Sequence, residues 1–83
     1  MRLDQLDKEI RDIRNRTTVK EIRLNTQDFN ELEKSLLPLR HGKAPVLVEL
    51  YGLAVCSSDN LPRGSIYFYT GENFPWLFRK IDE

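Results

Sequence analysis

Apolar residues recur at intervals of three and four along the first sixteen positions, and charged residues fill most positions between them. The apolar positions are Leu3, Leu6, Ile10 and Ile13. Because this spacing places them on one stripe of an α-helix, we predict a helix over residues 2–15. Position 17 is a threonine and position 20 a lysine, so the heptad pattern ends near Arg16.

Two uses of this stripe, which we call the seam, are open. The seam can pair with the same helix of a second copy as an oligomer interface, or it can dock on the chain's own sheet. A chain of 83 residues has a thin core, and one cysteine and one histidine provide neither an internal disulfide nor a zinc site. The clean heptad spacing favours pairing, so we expect a homo-oligomer.

The next segments alternate between strand and helix patterns. "VKEIRLN" carries alternating apolar residues typical of a short strand. In "NTQDFNELEKSLLPL", Asn25 or Thr26 is a suitable N-cap and Pro38 ends a helix. "VLVELYGLAV" is a nearly unbroken apolar run, which indicates strand, with Gly52 as a bulge or a turn between two strands.

The C-terminal third is rich in strand-forming residues. "SIYFYT" alternates, and "FPWLFRKIDE" fits a strand or a short helix. We therefore predict an α+β fold in which an N-terminal helix precedes β-α-β-β-β, with a small, mainly antiparallel sheet covered by one helix. Residues 1–83 form one domain, with the helix at 1–16 and an α+β body at 17–83.

Residues 65–78 contain six aromatic side chains, and two roles compete for them. Alternation predicts that Ile66 and Phe68 enter the core. The other aromatic residues are too many for a core of this size, so we expect them to form an interface with a partner protein. Stacking of nucleic-acid bases is less favoured, because no basic residue lies between positions 65 and 78. The expected interface residues are Tyr67, Tyr69, Phe74, Trp76 and Phe78.

Thirteen basic residues balance thirteen acidic ones, so no long-range field favours DNA or anionic lipid. There is no apolar run long enough to span a membrane and no apolar centre of a signal peptide, so we expect a cytoplasmic protein without a membrane partner. The alternative function is a small nucleic-acid-binding regulator that uses basic residues of the first helix. Its contacts would be Arg11, Arg14, Arg16 and Lys20.

Residues that could support catalysis are few. Cys56 ends an apolar run, so we expect it to be buried, and His41 lies in a basic loop segment. Neither belongs to a nucleophile signature, and no phosphate-binding loop or dinucleotide fingerprint is present. We therefore predict no catalytic site, no metal and no cofactor.

One segment carries a resemblance. Leu50–Phe68, "LYGLAVCSSDNLPRGSIYF", resembles the end of many small uncharacterised proteins of tailed phages and prophages, in which helix, G-x-x-V, d-x-L-P-x-G and strand follow in order. It is also similar to a stretch near the end of tailed-phage major capsid proteins, which are far longer. The resemblance implies a phage origin, and a protein of that origin would be located in the host cytoplasm or in the virion. It implies a minor virion or assembly component, or an inhibitor of a host protein, and carries over no functional residue.

Overall fold

The computed structural model describes residues 1–39, 45–71 and 76–81. Three α-helices, a short 3₁₀ turn and four strands follow one another in these segments. The helices are α1 (Leu3–Arg14), α2 (Thr26–Ser35) and α3 (Val46–Tyr51), and the turn is Leu37–Leu39. The strands are β1 (Glu21–Asn25), β2 (Ala54–Ser58), β3 (Ser65–Tyr69) and β4 (Trp76–Lys80).

The four strands form one sheet in the order β2-β1-β3-β4. β1 pairs with β2 in parallel, whereas the β1–β3 and β3–β4 pairs are antiparallel. The parallel pair is connected through α2 and α3, since a parallel connection needs a crossover. The predicted α+β class and the mainly antiparallel sheet are confirmed, and the C-terminal segment contributes a strand.

One side of the sheet, the inner face, packs against the helices. Ile22 and Leu24 of β1 and Ile66 and Phe68 of β3 have no exposed surface. They share one core cluster with apolar side chains of α1, α2 and α3. The cover therefore consists of three helices, where the sequence predicted one. α1 belongs to it because its seam is buried rather than displayed.

The prediction of strand for residues 46–51 is wrong, because these residues form α3. Gly52 ends the helix with a φ of 67°, a left-handed conformation that glycine adopts without a steric penalty, and its N–H donates to Val48 O. At the other end, the carboxylate of Glu33 accepts hydrogen bonds from the N–H groups of Val46 and Leu47, both 2.8 Å long. A side chain from α2 thus satisfies amides that a helix start leaves unpaired.

A second carboxylate of α2, Asp28, is fully buried and fixes the turn between β2 and β3. Its Oδ2 accepts a hydrogen bond of 2.7 Å from the N–H of Gly64, and its Oδ1 lies 2.7 Å from Nε of Arg63 in an ion pair. Arg63 also reaches the exposed Glu31 at 3.0 Å. The N-cap of α2 is Asn25, whose Oδ1 accepts hydrogen bonds from the backbone N–H groups of Gln27 and Asp28.

We predict that Asp28→Ala lowers the free energy of unfolding by about 2–3 kcal/mol, because it leaves the buried N–H of Gly64 unpaired and removes the buried carboxylate that pairs with the half-exposed Arg63. Glu31→Ala is the matched control, since Glu31 contacts the same arginine from an exposed position. It should cost less than about 1 kcal/mol. Urea unfolding measures both, and equal effects would contradict the role given to burial.

α1 is tied to α3 by polar contacts at their solvent edge. Arg14 donates to the backbone carbonyl of Tyr51 at 2.8 Å, and the Tyr51 hydroxyl donates to Oδ1 of Asp7 at 3.3 Å. Burial of the phenol, and next the charge of Asp7, raise the pKa of Tyr51 from 10.0 to about 12. The neutral phenol is therefore the form that the fold stabilises.

The raised pKa of Tyr51 predicts that the stability of the fold depends on pH in the alkaline range. The pKa of Tyr51 is higher in the folded state than in the unfolded state. Its contribution to the free energy of unfolding is therefore complete below pH 10 and is lost as the pH rises to about 12. The unfolding free energy of the wild type should fall in this window by an amount on the order of 2 kcal/mol more than that of Tyr51→Phe. Parallel urea curves at both ends of the window test this, and identical slopes for the two proteins would refute it.

Candidate functional site

The second side of the sheet, which we call the open face, carries no helix in the described part of the chain. Period-two alternation brings one set of side chains from each strand to this side. The two central strands contribute Glu21, Arg23, Tyr67 and Tyr69, and the two edge strands contribute Ala54, Cys56, Trp76, Phe78 and Lys80. The half over β1 and β2 carries small and charged side chains, whereas the half over β3 and β4 is largely aromatic.

Four rings on this half form a contiguous group, the aromatic cluster, made of Tyr67, Tyr69, Trp76 and Phe78. Tyr67 contacts Phe78 with ring centroids 5.0 Å apart, and it meets Trp76 edge-on at 6.4 Å. Tyr69 packs against Trp76 at 4.9 Å. The tyrosines are half-buried, but 41% of Trp76 and 48% of Phe78 remain exposed. The cluster is therefore internally packed and still presents a large apolar surface.

A cation from β1 extends the cluster towards the polar half of the face. The guanidinium carbon of Arg23 lies 4.9 Å from the centre of the Trp76 ring, in cation–π geometry. Nε of Arg23 donates to Oε2 of Glu21 at 2.8 Å. The carboxylate and the ring together fix the position of the guanidinium on the open face.

The turn between β2 and β3 limits the open face at one end. Nδ2 of Asn25 donates to the carbonyl of Leu61 at 2.6 Å, which draws the turn over this end of the sheet. Between the turn and the cluster lies a shallow, mainly apolar groove. Its lining residues are Arg23, Ser58, Leu61, Tyr67 and Trp76.

The structure brings together four of the five residues predicted to form a partner interface, and these are the members of the aromatic cluster. The fifth, Phe74, lies outside the described residues, as does His41. The predicted separation of Ile66 and Phe68 from Tyr67 and Tyr69 is observed. Arg23 is not among the interface residues predicted from the sequence. Alternation with Ile22 and Leu24 indicates its face, but only the strand order shows that this face adjoins β3.

The seam residues have a different placement. Leu6, Ile10 and Ile13 are each only 1% exposed and belong to the core, and Leu3 packs against it partly buried. The sequence allowed two roles for the seam, and in the folded chain α1 docks on its own domain. Pairing of two helices through these side chains is incompatible with that burial, so an oligomer of this fold needs another surface.

The residues of the alternative nucleic-acid contact do not form an isolated cationic stripe. Arg11 pairs with Asp7 at 2.7 Å and Arg16 with Asp12 at 3.6 Å, both one helical turn apart. Arg14 donates to the Tyr51 carbonyl, and the Lys20 side chain lies against Gly71. Acidic neighbours thus accompany two of the three arginines, which weakens the local positive potential.

Cys56 was expected to be buried, and this is wrong: it is exposed on the open face. β2 is an edge strand, and alternation turns Val55 inward and Cys56 outward. Sγ of Cys56 lies 3.8 Å from Oε1 of Glu21. Partial desolvation, and next the charge of Glu21, raise the pKa of the thiol above its ordinary value, which disfavours the reactive thiolate.

Within residues 1–39, 45–71 and 76–81, no group of three or more histidine, cysteine or acidic side chains is arranged to hold a metal ion. No helix in these same segments is long and apolar enough to cross a membrane. No protein-family model, curated protein or solved structure matches the chain.

We predict that Glu21→Gln accelerates alkylation of Cys56 by iodoacetamide several-fold at neutral pH. Removal of the carboxylate charge lowers the pKa of the thiol and raises the thiolate fraction. Glu49→Gln, an exposed change on α3, is the control and should leave the rate unchanged. Mass spectrometry of timed samples gives the rates, and equal rates for all three proteins would argue against the Glu21 contact.

Proposed function

We propose that this chain is a non-catalytic binding module that acts through protein–protein contacts, with the open face as its contact surface. The observation that carries the proposal is the exposure of Trp76 and Phe78 on a sheet face that no described helix covers. A contiguous apolar patch with a polar rim is the usual mark of an interaction site.

The composition of the face favours a protein partner. Tryptophan, tyrosine and arginine dominate interface hot spots, and here they meet in Trp76, Tyr67, Tyr69 and Arg23. Their positions are already fixed by ring contacts and by the Arg23–Glu21 bond, so binding requires little further ordering. The adjacent groove offers a recess for a side chain of the partner.

Charge argues against single-stranded nucleic acid as the principal ligand. Arg23 and Lys80 are the cations that alternation places on the described part of the open face, and Glu21 neutralises the first. Binding to a nucleic acid depends on neutralising several phosphates. The whole chain has equal numbers of basic and acidic residues. The face is thus better suited to apolar contacts than to a phosphate backbone.

The resemblance of residues 50–68 to small tailed-phage proteins supports two settings for such a contact. In one, the module is a minor virion or assembly component and its partner is another phage protein. In the other, it captures and inhibits a host protein. Both use the same surface and differ only in the origin of the partner.

We predict that Trp76→Ala abolishes partner binding and leaves the fold intact. Immobilised protein would be exposed to bacterial extract, and bound proteins identified by mass spectrometry. Leu50→Ala is the matched control, because Leu50 is 51% exposed on α3, away from the open face. A partner retained by the wild type and by Leu50→Ala should be lost from Trp76→Ala. With the purified partner, the loss should be at least about thirtyfold in affinity, or about 2 kcal/mol.

Three outcomes would overturn this assignment. The first is retention of the same proteins by Trp76→Ala and by the wild type. The second is a large fall in the melting temperature of Trp76→Ala, which would make the ring a core element. The third is tight binding of a labelled thymidine oligomer that Trp76→Ala removes, which would assign the face to single-stranded nucleic acid.

A further inference from the structure

The backbone of β4 carries an interaction surface distinct from the aromatic rings. In the described residues β4 has one neighbour, β3, so one side of the strand is a sheet edge. The N–H of Ile81 donates to the carbonyl of Gly64 at 2.8 Å, which fixes the phase of the β3–β4 ladder. Since the N–H and C=O groups of successive residues point to opposite sides of a strand, Leu77 and Arg79 also bond to β3.

The same alternation directs the backbone groups of Trp76, Phe78 and Lys80 to the free edge. Their side chains lie on the open face. The edge therefore presents a set of donors and acceptors beside exposed apolar rings. Edges of this kind are templates for the addition of another strand.

We propose that β4 pairs antiparallel with β4 of a second copy of this chain, about a two-fold axis at Phe78. In this register Phe78 lies opposite Phe78 of the second copy, and Trp76 lies opposite Lys80. All three positions have outward-facing backbone groups, so each opposed pair exchanges hydrogen bonds as an antiparallel ladder requires. The edge is thus complementary to itself, as a two-fold interface must be.

The side chains that this pairing opposes are compatible on both sides of the sheet. On the open face, two phenyl rings meet at the axis, and each lysine ammonium lies opposite an indole, which attracts cations. On the inner side, Leu77 lies opposite Arg79. Lysine on an edge strand often prevents pairing, but here no two lysines meet.

The dimer would merge two aromatic clusters into one surface on a sheet of twice the width. It supplies the self-association that a small core favours and that the buried seam does not provide. It does not rest on the function proposed above, because it depends on the backbone of β4 and needs no other protein. Dimerisation and partner capture can therefore succeed or fail separately.

The test begins with sedimentation velocity of the untagged protein alone, with amide hydrogen exchange of the same samples. We expect a dimer in which the N–H groups of Trp76, Phe78 and Lys80 are protected at high concentration and lose protection on dilution. The N–H groups of Leu77 and Arg79 should be protected throughout. A monomer at millimolar concentration would overturn the proposal, as would a dimer in which the N–H groups of positions 76, 78 and 80 exchange rapidly.

Two substitutions at the axis distinguish the contribution of the Phe78 backbone to dimerisation from the contribution of its ring. Phe78→Ala keeps the N–H and should weaken the dimer about tenfold, whereas Phe78→Pro removes the N–H and should yield a monomer. Proline is compatible with an edge position whose N–H faces outward, so the monomer should retain a cooperative unfolding transition. A proline variant that dimerises like the wild type refutes the pairing. If the proline variant fails to fold, the hydrogen-exchange pattern of the wild-type protein alone tests whether β4 pairs with β4.

Discussion

Burial of the α1 seam against the inner face is the interaction on which the rest of the structure depends. A sheet of four short strands with α2 alone would leave much of its inner face in water, and α1 supplies three fully buried side chains that close it. Because the helices all pack on this side, the open face receives no cover from them. In the described part of the chain, the same packing that makes a small domain stable thus leaves the open face without a helix on it.

α2 organises the connections around this core through two carboxylates. Glu33 holds the first turn of α3, and Asp28 holds the turn that leads into β3. Both accept hydrogen bonds from backbone N–H groups, which every residue type except proline has. The sequences of the contacted segments therefore do not indicate either contact. A short helix with acidic residues thereby determines the path of the chain at two distant places.

The local sequence pattern was sufficient to predict the elements whose apolar residues recur with a clear period. The seam spacing, the N-cap at Asn25 and the alternation of β3 each appear in consecutive residues, and each is observed. Residues 46–51 were predicted incorrectly because a short apolar run fits a buried strand and a buried helix equally well. The helix is selected by Glu33, which precedes it along the chain, and by Gly52. The composition of the open face could be predicted in part, but Arg23 meets Trp76 only through the strand order. Cys56 is exposed because alternation in β2 directs it to the face on which no described helix packs.

The strand order also determines when the domain can form during synthesis. β1 lies between β2 and β3, and both of its partners are translated after it. Until β3 has left the ribosome, β1 has no complete ladder and the apolar side chains of α1 have no inner face to cover. Folding is therefore delayed by these long-range pairings, and the apolar side chains of α1 have no packing surface until β3 is available.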